Sequence, residues 1–140
     1  MDVLVLVGRI LFAFLFLGSG FGHIMGRKAM AGYAAAKGVP NAEIAVVGSG
    51  VLILAGALMV LFGLWGDLGA LFLVIFLVPT AFIMHAFWKE TDAQAKQMEM
   101  VSFNKDIALA GGALAFMVLF SFAGPILGLT LTDPVFSIGR

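Results

Sequence analysis

Four long apolar runs constrain this chain of 140 residues more than any other feature. The hydrocarbon core of a bilayer is about 30 Å thick and a helix rises about 1.5 Å per residue, so about 20 apolar residues cross it. The runs lie at residues 3–23, 44–64, 68–88 and 106–126. Because lipid offers no hydrogen-bond partner to the backbone, each spanning run has to be helical. The sequence therefore predicts an all-α, integral membrane four-helix bundle that forms a single membrane domain over residues 1–140.

Composition excludes the other broad classes. Hydrophobic residues make up 62% of the chain and charged residues 11%, whereas a soluble domain carries about 25% charged residues. Eight basic and eight acidic residues give no net charge, so nothing favours a nucleic-acid partner. The chain has no cysteine, which excludes disulfide exchange and thiol catalysis. Membrane lipids are the expected surroundings.

The connection between the first two runs carries a helical pattern of its own. Within residues 24–43, the positions Met30, Tyr33, Ala34 and Lys37 recur at helical spacing, and a Gly-Val-Pro stop follows. We predict a short interfacial helix between the first and second membrane helices. Residues 89–104 mix charges with methionines and predict a solvated segment that is partly helical.

The basic residues predict the orientation of the bundle. Six of them fall in the two longer connections, namely Arg27, Lys28, Lys37, Lys89, Lys96 and Lys105. The opposite side has only Arg140 in its loops and tails, with Arg9 added if its side chain extends that way. Because cytoplasmic loops are enriched in Lys and Arg, both longer connections are expected in the cytoplasm and both termini outside it.

Arg9 is the one basic residue inside the first run. A charge buried in hydrocarbon costs at least about 2.5 kcal/mol, so such a residue normally faces the bundle and has a partner. Asp67 falls on the same side of the membrane, and we predict a structural ion pair between Arg9 and Asp67. Asp2 and Asp133 are other carboxylates within that region, and a bound anionic or quinone-like head group is a further partner. In the alternative interpretation Arg9 extends to the outer interface and binds lipid phosphate.

A second polar cluster is predicted at the opposite membrane face. The first and third runs end there with the chain's two histidines, His23 and His85, close to Trp88, and the fourth run begins there with Lys105 and Asp106. These five residues are the predicted ligand-binding cluster. One interpretation is hydrogen bonding to a quinone carbonyl with proton transfer by His or Asp. Metal or haem ligation is a weaker one, because no metal-ligand spacing is present; alternatively each imidazole bonds only a backbone carbonyl or water.

Glycine placement predicts close contacts between helices, since small residues allow membrane helices to approach each other. Gly18, Gly22 and Gly26 recur every four residues along one face of the first helix. Gly48, Gly50 and Gly56 lie inside the second run, and Gly111 and Gly112 lie inside the fourth. A site for the flat ring of a ligand is the alternative interpretation of these residues. The chain carries no Walker loop and no dinucleotide fingerprint, so whether it has a reaction of its own is left open.

Four short stretches, in order along nearly the whole chain, resemble the DoxX family of small four-helix integral membrane proteins. They are Gly8-Arg9-Ile10 with the later Gly18-Ser19-Gly20-Phe21-Gly22-His23, Gly38-Val39-Pro40, His85-Ala86-Phe87-Trp88, and Lys105 to Gly112. The sequence departs from the family pattern where Ile53 replaces a Glu and Asp67 replaces an Arg. Two further departures are His23 in place of a Lys and Asp106 in place of an Asn.

The resemblance implies a multi-pass protein of a bacterial-type inner membrane, in a family linked to quinone-dependent oxidation. Together with the small size of the chain, it favours an accessory or assembly subunit of a larger membrane redox or energy-converting complex. Other membrane protein subunits would then be partners. A quinone-binding subunit of a quinone-linked oxidoreductase is the first alternative, with quinone as the candidate cofactor and His85, Trp88 and Asp106 at its site. A small-molecule or lipid carrier is the second.

Overall fold

The computed structural model describes residues 1–136, and in that part of the chain all regular structure is helical. Arg140, which entered the charge count, lies outside the described residues. The helices are α1 (Asp2–Met25), α2 (Arg27–Ala36), α3 (Ala42–Phe62), α4 (Gly66–Met84) and α5 (Ala93–Ala123). Short 3-10 turns follow at Phe87–Lys89 and Gly124–Ile126. Four of the helices are long and apolar enough to cross a membrane, which confirms the predicted fold class, and α2 forms where the short interfacial helix was expected.

The four long helices pack in the order α1, α3, α4, α5, and aromatic side chains bring α5 back against α1. The ring of Phe12 in α1 lies 5.0 Å from that of Phe116 in α5. Between the helices lies a core of fully buried apolar side chains that includes Phe16, Ile53 and Leu73. The four helices therefore enclose an apolar core, and their outer faces are available for contact with lipid.

Two pairs of glycines set the closest approaches between helices. A Cβ atom added to Gly20 of α1 would lie 3.2 Å from the Gly50 carbonyl of α3, and the reverse distance is the same. On the other face of α3, a Cβ at Gly56 would lie 2.8 Å from the Gly69 carbonyl of α4. Gly18 and Gly22 have no neighbour within 4 Å of such an atom. The predicted packing face through Gly18 and Gly22 is therefore wrong, because α1 meets α3 through Gly20 instead.

The two ends of the bundle differ in structure. We call the end that carries residue 1 and the tail at residues 127–136 the terminal end, and the opposite end, which carries α2, the α2 end. Trp65 lies at the terminal end and Trp88 at the α2 end, and both are half-exposed. The 19 residues of α4 between them span about 28 Å, so the two indoles are placed as the aromatic belts of a membrane protein are.

The helix bounds at the α2 end differ from the predicted spans. The third predicted span reached residue 88, but α4 ends at Met84 and a 3-10 turn takes over at Phe87. The fourth was predicted from residue 106, yet α5 already begins at Ala93. The carboxylate of Asp92 accepts a hydrogen bond from the Ala95 N–H at 2.8 Å, and this N-cap starts the helix within the polar segment. The extension places additional charged side chains beside the end of α4.

Candidate functional site

Arg9 is buried at the terminal end of the bundle, with 1% of its surface exposed. Its Nε donates to the carbonyl of Val60 at 2.9 Å and its Nη2 to that of Leu61 at 2.5 Å. Its Nη1 donates to the carbonyl of Leu129 at 2.8 Å. Val60 and Leu61 lie in the last turn of α3, where the helix dipole is negative and carbonyls have lost their usual helical donors. From the backbone of the described residues, the Val60 carbonyl has only a long bond from the Gly63 N–H, at 3.4 Å. Arg9 therefore caps α3 and ties the tail to it.

Asp67 is also fully buried, and it too is held by the backbone. Its Oδ1 accepts from the Val135 N–H at 3.1 Å and its Oδ2 from the Phe136 N–H at 2.5 Å. It sits in the first turn of α4, where the helix dipole favours an anion. Within residues 1–136, Arg9 and Asp67 do not form the ion pair that the sequence suggested. Unpaired backbone groups at the helix ends and in the tail hold both charges instead.

The tail covers the terminal end through further backbone contacts. The Leu131 N–H donates to the carbonyls of Phe62 and Gly63, each at 3.2 Å. The Thr132 hydroxyl accepts a hydrogen bond from the Trp65 N–H at 2.7 Å. The bonds from Leu131 use carbonyls left free where α3 ends, and the bond to Thr132 uses an N–H left free where α4 begins. The terminal end is thus closed, and its buried charges are satisfied by the fold.

The α2 end, by contrast, contains a cavity of about 470 Å³. All five helices contribute to its wall, which is mostly apolar and includes Phe16, Phe76 and Leu77. Four of the five residues predicted as a ligand-binding cluster line this cavity, namely His23, His85, Lys105 and Asp106. They come together because the spanning helices that carry them end or begin at the same bilayer face.

Trp88, the fifth predicted residue, does not line the cavity. Its indole packs against Phe82, Phe87 and Phe103, with centroid distances of 6.2, 5.2 and 5.6 Å. This aromatic cluster is partly exposed, as expected for side chains at the level of the lipid head groups. In the structure Trp88 is therefore a membrane-interface residue rather than a wall of the site.

His85 lies between two carboxylates at the cavity wall. Its Nδ1 is 2.7 Å from Glu99 Oε2, and its Nε2 is 3.6 Å from Asp106 Oδ2. The side chain of Asp106 is 7% exposed and that of Glu99 is 14% exposed. Lys105 Nζ lies 3.7 Å from the other oxygen of Asp106. The imidazole thus joins a carboxylate in the cavity to a carboxylate nearer the surface.

Glu99 is held in place from the side of α2. The Tyr33 hydroxyl donates to Glu99 Oε1 at 2.6 Å, and Lys37 Nζ lies 3.1 Å from the same oxygen. Lys37 also binds Glu90 Oε1 at 2.7 Å. Burial, followed by the neighbouring Glu99 carboxylate, raises the pKa of Tyr33 to about 12. The hydrogen bond to Glu90 raises the pKa of Lys37 above its usual value, so at neutral pH Tyr33 keeps its proton and Lys37 its charge.

The sequence reasoning missed Glu99 and its partners on α2. Glu99 and Asp106 are seven residues apart, which is about two turns and therefore one face of a helix. That spacing would have indicated the pair if residues 93–105 had been taken as part of the fourth helix. Tyr33 and Lys37 recur at helical spacing, but no local pattern joins α2 to Glu99, which is 66 residues from Tyr33.

His23 forms a separate polar contact on the cavity wall. Its Nδ1 lies 2.8 Å from Ser49 Oγ and 3.4 Å from the Val46 carbonyl. The Ser49 hydroxyl itself donates to that carbonyl at 2.8 Å, so Nδ1 has to be the donor to Ser49. Nε2 of the neutral ring is then an unprotonated acceptor. Over residues 1–136, no three His, Cys, Asp or Glu side chains come together as a metal site.

The closed terminal end, the spanning helices and the polar cavity define a small multi-pass membrane protein. The chain belongs to the DoxX family, whose model matches residues 4–86. It is 35% identical over 124 residues to inner membrane protein YqjF of Escherichia coli (strain K12), covering 89% of this chain and 86% of that protein. It is 29% identical over 123 residues to inner membrane protein YphA of the same organism, covering 88% and 84%. No solved structure matches. These relatives and the four apolar helices support a multi-pass protein of a bacterial inner membrane.

Proposed function

We propose that this protein binds a membrane-soluble small molecule with a hydrogen-bonding head group, and that this ligand is of the quinone type. The observation that carries the proposal is the cavity of about 470 Å³ with His23, His85 and Asp106 in an otherwise apolar wall. Ligand sites typically measure about 300–1,000 Å³ and combine apolar lining with a few placed polar groups. The cavity at the α2 end has this character.

The wall offers what a quinone head group needs. A quinone carbonyl accepts hydrogen bonds, and both Lys105 and a protonated Nε2 of His85 are donors. A quinol hydroxyl donates, and the carboxylate of Asp106 and Nε2 of His23 are acceptors. The apolar wall around Phe76 and Leu77 suits the ring and the isoprenoid chain. Both redox forms of one ligand would therefore find partners among the same residues.

An accessory or assembly role in a larger redox complex, which the small size of the chain favoured, needs no such cavity. A helical bundle that serves only as a packing partner gains stability when its interior is filled, because empty volume in a core is destabilising. Backbone hydrogen bonds of 2.5–3.1 Å hold Arg9 and Asp67 at the terminal end. On the cavity wall, by contrast, Asp106 lies 3.6 Å from His85 and 3.7 Å from Lys105. The cavity therefore favours ligand binding over a purely structural role.

Binding is tested with the purified protein in lipid nanodiscs, titrated by calorimetry with a short-chain ubiquinone and a short-chain menaquinone. We expect saturable binding to the wild type and an affinity about tenfold lower in His85→Asn and Asp106→Asn, since one hydrogen bond is worth about 1 kcal/mol. Trp88→Phe is the matched control, because Trp88 lies near His85 in sequence but outside the cavity. No saturable binding to the wild type, or an equal loss in Trp88→Phe, contradicts the proposal.

A further inference from the structure

The cavity carboxylate and the surface at the α2 end are connected through side chains of two helices. We propose that His85 and Glu99 form a proton path between Asp106 in the cavity wall and the water at the α2 end. Asp106 is the more deeply buried of the two carboxylates and Glu99 the more exposed. His85 lies between them, with a different ring nitrogen facing each. No other residue in the described chain contacts both carboxylates in this way.

The distances fit a path with one short and one adjustable step. The contact between His85 Nδ1 and Glu99 Oε2, at 2.7 Å, is already a hydrogen bond. The contact between Nε2 and Asp106 Oδ2, at 3.6 Å, has to shorten by about 0.7 Å before a proton can pass. A small rotation of the Asp106 carboxylate would be enough.

The proposed step moves protons only, and no group is oxidised or reduced. After a drop in pH, Glu99 takes a proton from water and passes it to Nδ1 of His85 in the Nε2–H tautomer. The proton on Nε2 leaves for Asp106, so the ring has the same charge before and after. Asp106 then holds a proton that it can give to a basic oxygen in the cavity. The ring is left with its proton on Nδ1, so a second proton follows only after exchange with water has returned the imidazole to the Nε2–H tautomer.

The surrounding charges hold the path in place. On the α2 side, Tyr33 and Lys37 both bind Oε1 of Glu99, which leaves Oε2 for His85. Lys37 is in turn bonded to Glu90. On the α5 side, Lys105 faces Oδ1 of Asp106 and leaves Oδ2 for His85. Each carboxylate therefore presents one oxygen to the imidazole and has the other oxygen fixed by a cation or a hydroxyl.

The identity of the proton's final acceptor in the cavity rests on the proposed quinone-type ligand, but the path itself is testable without one. Protein in lipid nanodiscs, with no quinone added, is subjected to a rapid drop in pH. Infrared spectroscopy follows the carboxyl C=O stretching band of Asp106, assigned as the band that is lost in Asp106→Asn. We expect Glu99→Gln to slow the appearance of this band by about tenfold or more, because Gln keeps the hydrogen bonds but cannot carry a proton.

The matched control is Glu43→Gln, which neutralises an exposed carboxylate paired with Arg27 and should keep the wild-type rate. Glu99→Asp restores a titratable group and should recover at least part of the rate. If Glu99→Gln does not yield folded protein, His85→Asn interrupts the same path and should slow the band equally. A wild-type rate in Glu99→Gln or His85→Asn overturns the path. Slowed protonation without quinone binding would overturn the proposed function alone.

Discussion

Arg9 is held by backbone carbonyls rather than by a carboxylate, and this changes what its removal should cost. Three of its nitrogens donate to carbonyls that belong to the end of α3 and to the tail. The planar guanidinium can reach three separate acceptors at once because its donors form a fixed fork. The need for a buried partner could be predicted from the sequence, because a lone charge in hydrocarbon is so costly. The identity of that partner could not, since no side-chain pattern marks a carbonyl left free by a helix end.

We predict that Arg9→Ala lowers the free energy of unfolding by about 3 kcal/mol or more, because it leaves buried carbonyls at Leu61 and Leu129 without donors. The measurement is unfolding in mixed micelles of increasing SDS content, followed by far-ultraviolet circular dichroism. Arg27→Ala is the matched control. Arg27 pairs with Glu43 at 3.3 Å on the surface, and its removal should cost only about 0.5 kcal/mol. Equal losses in the two variants would show that Arg9 is not held as described.

At the scale of helices, α3 is the central element because it approaches both α1 and α4 at glycines. Its Gly56 meets the backbone of α4 at Gly69, and backbone cannot move aside as a flexible side chain can. Gly48, on the same helix, faces open space. The two positions therefore separate the packing role of glycine from its effect on helix propensity.

We predict that Gly56→Ala destabilises the bundle by about 2 kcal/mol, because the added methyl group overlaps the Gly69 carbonyl. Gly48→Ala should be neutral or should stabilise α3 by up to about 1 kcal/mol, since alanine is the better helix former. Both variants are compared with the wild type by the same unfolding assay. If Gly48→Ala lowers the stability as much as Gly56→Ala does, the close contact between α3 and α4 is excluded.

The number of long helices and their approximate positions could be predicted because an apolar run that crosses lipid has to be helical. The start of α5 could not be located, since residues 93–105 mix charges with methionines and predict only a partly helical, solvated segment. The Asp92 cap is recognisable only once a helix is known to follow it. Because the fourth helix was predicted to start at residue 106, Glu99 was not included in the predicted site. His23, His85, Lys105 and Asp106 could be placed at one level from span direction alone. Whether their side chains reach one cavity depends on helix rotation, which hydropathy does not encode.

At the scale of the whole molecule, the two ends have different roles. The terminal end is closed by the tail, which Arg9 and Asp67 hold through its backbone. The α2 end holds the cavity and the chain of charged side chains from Asp106 to Glu90. The six basic residues of the longer connections belong to this α2 end, so the positive-inside rule predicts that this end faces the cytoplasm. The orientation decides which compartment would exchange protons with the cavity.

We predict that the α2 end faces the cytoplasm, and labelling of single cysteines tests this directly. The chain has no cysteine, so a membrane-impermeant maleimide gives no background from the protein itself. Asp133→Cys, exposed at the terminal end, should react in intact bacterial cells. Lys28→Cys, exposed at the α2 end, should react only after the inner membrane is permeabilised. The reverse pattern would place the cavity on the outer side, and the proposed path through His85 and Glu99 would then draw its protons from outside the cytoplasm.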